Sequence, residues 1–171
     1  AEIATKGKNR PTFVAKLGRN SRQALRGLPV GRITEPAGRL WISAKGDAAF
    51  PDEALRALQY VYGIASIAPV AYAPHDLESI QNTAYELVAN RSYASFRVSA
   101  RRAFKNLPFS SQELNVKVGD FLFERKPAKV QMKGAELEVF IEVVPAGAYL
   151  YVDRLRGPGG LPVGMGGKVA C

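Results

Sequence analysis

With 171 residues, 47% of them hydrophobic, the chain is long enough for one ordinary domain or two small ones and apolar enough to bury a core. Its 24 Lys and Arg outnumber 15 Asp and Glu, and the formal charge of +9 favours a polyanionic partner, nucleic acid before an anionic membrane surface. A single cysteine, Cys171, leaves no disulfide framework or cysteine-rich zinc site within one chain, and a single histidine, His75, argues against a histidine metal site or a Cys–His dyad.

Residues 10–28 read as a helix. Pro11 suits the first turn, where its missing N–H costs nothing. Phe13, Leu17, Ala24, Leu25 and Leu28 recur near helical period, and Pro29 ends the run. Residues 30–34 and 38–44 read as a hairpin around Pro36-Ala37-Gly38. A short helix follows from Pro51 to Tyr60, and Ile64 to Tyr72 reads as a strand. Helix, strand, strand, helix, strand is a split βαβ plan without its first strand, of which Ala1–Thr5 would be the remnant.

A second unit begins at Pro74-His75-Asp76. Asp76 is placed to cap a helix through about Ala89. Ser95 to Ala100 alternates as a strand, with Phe96, Val98 and Ala100 on one face and Arg97 and Ser99 on the other. Ser110 and Glu113 form a capping box opening a helix to about Glu124. Strands follow at Val130–Met132, Glu136–Val144 and Ala148–Val152, the last two joined by Pro145-Ala146-Gly147. From Arg156 the tail is glycine-rich and reads as loop.

The motifs that could carry chemistry are mostly basic. Lys6, Lys8 and Arg10 stand before a helix N-terminus, where exposed N–H groups add to the attraction for phosphate. Arg97, Arg101, Arg102 and Lys105 surround the end of a strand, and Arg154 could join their surface. Phe104 and Phe109 would stack on bases if exposed, or fill the core. Residues 1–65 hold eleven basic and five acidic residues, +6, and residues 66–171 hold thirteen and ten, +3. His75 reads as a surface or capping residue. Glu136, Glu138 and Glu142 read as a solvated strand face rather than a two-carboxylate active site. The glycine-rich tail lacks the spacing of a phosphate loop. No catalytic or metal site is expected, no apolar run reaches the ~20 residues of a membrane helix, and the polar start and lone cysteine fit a cytoplasmic setting.

Three segments, in order and separation, resemble one family. They are Glu2-Ile3-Ala4-Thr5-Lys6-Gly7-Lys8-Asn9-Arg10 with Phe13, then Phe96-Arg97-Val98-Ser99-Ala100-Arg101-Arg102, then Asp153-Arg154 with Gly159-Gly160-Leu161-Pro162-Val163-Gly164. They resemble the first half of the bacterial and archaeal tRNA 4-thiouridine synthases, tRNA sulfurtransferases also linked to thiamine thiazole synthesis. The resemblance implies an α+β chain with a ferredoxin-like domain over 1–72, lacking its first strand, a THUMP RNA-binding domain over 73–156, and a linker over 157–171. The linker would lead to an ATP pyrophosphatase-type domain whose Ser-Gly-Gly-x-Asp-Ser motif is not in the sequence, so the chain is expected to be a fragment without the catalytic residues, and ATP and Mg belong to that absent domain. The family implies that uridine 8 of tRNA is adenylated and then thiolated. This part would supply the grip, with Lys6, Lys8 and Arg10 on backbone phosphates and Arg97, Arg101, Arg102, Lys105 and Arg154 toward the acceptor stem and 3′ CCA end. A homodimer, and a sulfur-donor protein acting through the absent domain, are further implied partners. The alternatives are a THUMP module from another tRNA-modifying enzyme and a protein-interaction module with an incidental basic surface.

Overall fold

The computed structural model describes residues 9–35, 39–46, 48–103 and 108–165. The chain divides into two units, one formed by residues 1–67 together with 154–171 and the other by 68–153. The described part of the stretch expected to be a linker, residues 157–165, thus groups with the first unit.

In the first unit, α1 (Arg10–Ala24) carries Pro11 in its first turn. Its apolar stripe puts Val14 and Leu17 into the core, with Leu25 just beyond its end. The helix stops four residues before the position the stripe suggested: the Leu25 N–H bonds back to Ser21 O at 3.0 Å, and Gly27 turns to a φ of 84°. Strands β1 (Val30–Thr34) and β2 (Trp41–Ala44) pair antiparallel, with an irregularity between Val30 and Ile33. The turn expected between them at 36–38 lies outside the described residues, as does the strand remnant at 1–5. Helix α2 (Asp52–Leu58) buries Ala54 and Leu58 against α1, and Val61 and Ile64 complete the core.

The strand expected from Ile64 to Tyr72 is two strands. β3 (Ser66–Ile67) pairs with β9 (Leu155–Arg156) in the first unit, whereas β4 (Ala71–Ala73) pairs with β8 (Gly147–Tyr151) in the second. Pro69 stands between them, and without an N–H it cannot continue a ladder. The tail read as loop therefore supplies a strand, and a turn behind it: the Gly63 N–H donates to Gly159 O at 2.6 Å, and Pro162 is fully buried. Gly63 has a φ of 100°, and a Cβ there would lie 3.0 Å from Pro162 and 3.1 Å from Leu17.

The second unit is a five-stranded sheet in the order β4-β8-β7-β5-β6, where β5 is Ser95–Arg102, β6 Lys129–Val130 and β7 Leu137–Val144. β5 runs parallel to both β6 and β7, and β8 antiparallel to β7 and β4. Helices α3 (Leu77–Val88) and α4 (Ser111–Arg125) supply Ile80, Ala84, Val88 and Leu114, Val118, Leu122 to a core shared with Phe96, Val98, Val139, Ile141, Val143 and Leu150. Both helix starts are as the sequence indicates. Asp76 Oδ1 accepts from Ser79 N at 2.7 Å, and Ser110 and Glu113 close a reciprocal capping box at 3.1 and 2.6 Å. These bonds hold the carboxyls of Asp76 and Glu113 below their ordinary 3.8 and 4.5.

His75 is tied down rather than free at the surface, its Nε2 donating to Val144 O at 2.8 Å. Of the three glutamates expected on a solvated face, Glu136 is exposed, whereas Glu138 is half-buried and Glu142 is buried. Glu136 accepts from Ala94 N at 2.8 Å, Glu138 pairs with Arg97, and Glu142 is only 8% exposed and accepts from the Tyr151 hydroxyl at 3.0 Å. Cross-strand partners absent from the local sequence account for this difference.

Two outcomes follow from the turn and the caps. Gly63→Ala forces an L side chain into the left-handed region against Pro162 and Leu17, and thermal unfolding should show a loss of about 1–3 kcal/mol. Because Asp76 and Glu113 have lowered pKa values in the fold, their contribution is present above the ordinary carboxylate range and fades as pH falls through the lowered values. Melting curves taken from about pH 7 to about pH 3 should therefore fall more steeply for the wild type than for Asp76→Asn with Glu113→Gln, which keeps hydrogen-bonding groups but removes the titration.

Candidate nucleic-acid interface

Strand alternation sets the geometry. Phe96 and Val98 point to the helices, so Arg97, Ser99 and Arg101 line up on the opposite face of β5. In the parallel ladder these three lie beside Glu138, Phe140 and Glu142 of β7.

The arginines of the cluster differ in what they can offer a phosphate. The Arg97 guanidinium donates to Glu138 Oε1 at 2.5 Å and to Met132 O at 2.7 Å, and Ser99 Oγ donates to the same Glu138 oxygen at 2.5 Å. The Arg97 side chain is 32% exposed and that of Glu138 22%, a partly shielded, multiply bonded pair whose charge is largely neutralised locally. Arg102 is on the helix side and half-buried, and its guanidinium donates to Phe109 O. That bond holds the approach to the Ser110 cap, and the positive charge also helps to lower the Glu113 carboxyl. Arg101 is exposed, and it has no hydrogen-bond or ion-pair partner among the described residues. Of these three, Arg101 therefore presents the most available positive charge.

Lys6, Lys8 and Lys105 lie outside the described residues, as does Phe104, and Arg10 is placed only as the first residue of α1. Arg154 belongs to the first unit, immediately before β9, and not to the sheet that carries Arg101. Phe109 is 9% exposed and is a core residue, not a stacking platform.

Other features were not singled out from the sequence. Arg91 makes a two-pronged pair with Asp153, its Nη1 donating to Oδ1 at 3.0 Å. Lys126 Nζ donates to Ala89 O at 2.8 Å, and the Arg125 guanidinium lies 3.5 Å from the centre of the Phe121 ring. These bonds and contacts occupy cations that a charge count alone leaves available. In the first unit, Tyr60 and Tyr62 are 82% and 56% exposed on either side of buried Val61, a pattern written in the sequence as Tyr-Val-Tyr before a glycine.

Among the described residues no group of three or more His, Cys, Asp or Glu is placed to hold a metal ion, and no helix is long and apolar enough to cross a membrane.

Comparison with known proteins accounts for both units. A family model described as the ThiI ferredoxin-like domain matches residues 1–68, and one described as the THUMP domain matches residues 74–153. The probable tRNA sulfurtransferase of Moorella thermoacetica is 38% identical over 98% of this chain and 42% of its own length. That of Thermus thermophilus is 38% identical over 99% of this chain and 41% of its own. The chain thus spans about two-fifths of the length of these curated relatives. Among solved structures, PH1313 from Pyrococcus horikoshii aligns with a TM-score of 0.82 and 32% identity over 94% of this chain and 55% of that one. A 4-thiouridine synthetase in complex with RNA and ATP aligns with a TM-score of 0.76 and 28% identity over 96% of this chain and 42% of its own. The chain thus consists largely of a ThiI-type ferredoxin-like domain followed by a THUMP domain, and it matches the N-terminal part of the curated tRNA sulfurtransferases.

Proposed function

We propose that this chain is the tRNA-gripping portion of an ATP-dependent tRNA sulfurtransferase that makes 4-thiouridine at position 8. The observation that carries this reading is the likeness, over 96% of the chain, to a 4-thiouridine synthetase solved with RNA. The net charge of +9 and the exposed Arg101 are what such a role needs. A THUMP module attached to some other tRNA-modifying activity accounts less well for a first unit that matches the ThiI-type ferredoxin-like domain.

In this reading the THUMP unit holds the acceptor stem and 3′ CCA end. Duplex RNA is recognised by shape and backbone, and an unpaired end by stacking and base edges. Arg101 contacts a phosphate directly. Arg97 and Arg102 act mainly as positioning residues, one bracing the β5–β7 ladder and the other the start of α4. Lys6, Lys8, Arg10, Lys105 and Arg154 remain candidate phosphate contacts. ATP with Mg and the sulfur-donor protein are assigned to the catalytic part of the enzyme, which works in the cytoplasm as a homodimer.

A salt titration of binding to intact tRNA and to the same tRNA without its 3′ CCA tests the reading. Affinity should fall linearly with salt on logarithmic axes, and drop further when CCA is removed. Salt-sensitive binding indifferent to CCA would leave only a basic surface, and no binding by the folded chain would reject the reading.

The arginines should separate in the same assay. Arg101→Ala should weaken tRNA binding and reduce the salt slope by about 1, the loss of one phosphate contact. Arg97→Ala should leave the slope nearly unchanged and instead lower the melting temperature, because it leaves Glu138 without its cation.

A further inference from the structure

We infer that the first unit carries an RNA contact of its own, a cleft between α1 and the Tyr60–Tyr62 turn that receives one unpaired nucleotide. The inference rests on the reading of RNA as the partner and adds a site outside the THUMP unit.

The cleft has a volume of about 330 Å³ and is lined by Asn20, Gln23, Tyr60, Val61, Tyr62 and Val163. That is the lower end of the range for small-ligand clefts, of order 300–1,000 Å³, and suits a single base rather than a folded partner. Single exposed aromatics are ordinary on protein surfaces. Here two tyrosines share one cleft, 82% and 56% exposed, with Val163 beside them at 65%.

Their placement is fixed by the core beneath. Val61 is buried against Leu17 and Leu58, which turns its two neighbours outward. The opposite wall is held by the Gly63–Gly159 bond at 2.6 Å and by Asn20 Nδ2, which donates to Val163 O at 3.1 Å. The backbone around the cleft is thus held before any ligand arrives.

The electrostatics select the ligand. Among the described residues no carboxylate lines the cleft, and α1 contains no acidic residue. Arg22 is paired with Glu35 at 2.9 Å, but Arg19 is exposed and Lys16 lies near the far rim, where a Cβ on Gly164 would be 2.8 Å from its Nζ. Two exposed aromatic side chains in one cleft, next to a helix that carries Lys16 and Arg19 and no acid, match a single-stranded nucleic acid, whose bases stack whatever their identity and whose phosphates require positive charge. Gln23 and the carbonyl oxygen of Asn20 are carboxamide groups suited to a base edge. A base held in a duplex cannot offer its face, so the ligand is a nucleotide that is splayed out or at a free end.

The test uses the whole chain, a short single-stranded RNA, a duplex of the same length and intact tRNA. Tyr60→Ala with Tyr62→Ala should weaken single-strand binding by about tenfold, the scale of one lost base stack. Tyr60→Phe with Tyr62→Phe keeps the rings and should bind like the wild type, and duplex binding should be equal for all three. Ultraviolet crosslinking of the wild type to the single strand should label Tyr60 or Tyr62. Unchanged single-strand affinity in the folded alanine variant overturns the inference, as does a loss that the phenylalanine variant shares. If the wild type binds tRNA while the alanine variant matches it on every RNA, the cleft inference fails alone. If the wild type binds no RNA, the functional reading fails and the cleft falls with it.

Discussion

The second unit depends on the parallel pairing of β5 with β7. Their ladder runs without interruption from Phe96 beside Leu137 to Arg102 beside Val143. Because side chains alternate across a strand, one register decides two things together. It sends Phe96, Val98, Val139, Ile141 and Val143 under the helices, and it places Arg97, Ser99 and Arg101 on the other face beside three β7 residues. A slip of one residue would exchange the core for the charges. The fully buried Leu114, Val118 and Leu122 of α4 lock that register from above.

The same ladder explains why a run of arginines does not act as a uniform patch. Arg97 meets Glu138, so its charge goes chiefly into the sheet. Arg102 turns to the helix side and clasps the segment before α4. Arg101, between them in sequence, is left facing solvent. Positive charge that can be offered to RNA is therefore a property of the tertiary partner, and a count of basic residues overstates it.

This divides what the sequence made legible from what it did not. The caps at Asp76 and at Ser110 with Glu113 could be read directly because donor and acceptor are three residues apart. The two faces of β5 were legible for the same reason: alternation is local. The bond between Arg97 and Glu138 spans 41 residues, and that of His75 to Val144 spans 69, so neither was visible in a window. The tail misled for a related reason. Its glycines look like loop, yet Leu155 and Arg156 complete a ladder whose other strand lies almost ninety residues earlier. The run from Ile64 to Tyr72 was apolar enough for one strand, and only the pairing of its two ends in different sheets shows why Pro69 divides it.

The pairing of β3 with β9 has a consequence for how the protein is made. In the chain, the second unit is inserted within the first, since residues 68–153 lie between the segments that form it. A ribosome therefore delivers α1, α2 and β3 well before the strand that finishes their unit. At about 5–20 residues per second, the wait is on the order of ten seconds. During that interval Ile67 has no Leu155 beside it and Gly63 has no Gly159 to bond. The unit that begins first is completed last, and its closure also requires residues 68–153 to bring Leu155 back to Ile67.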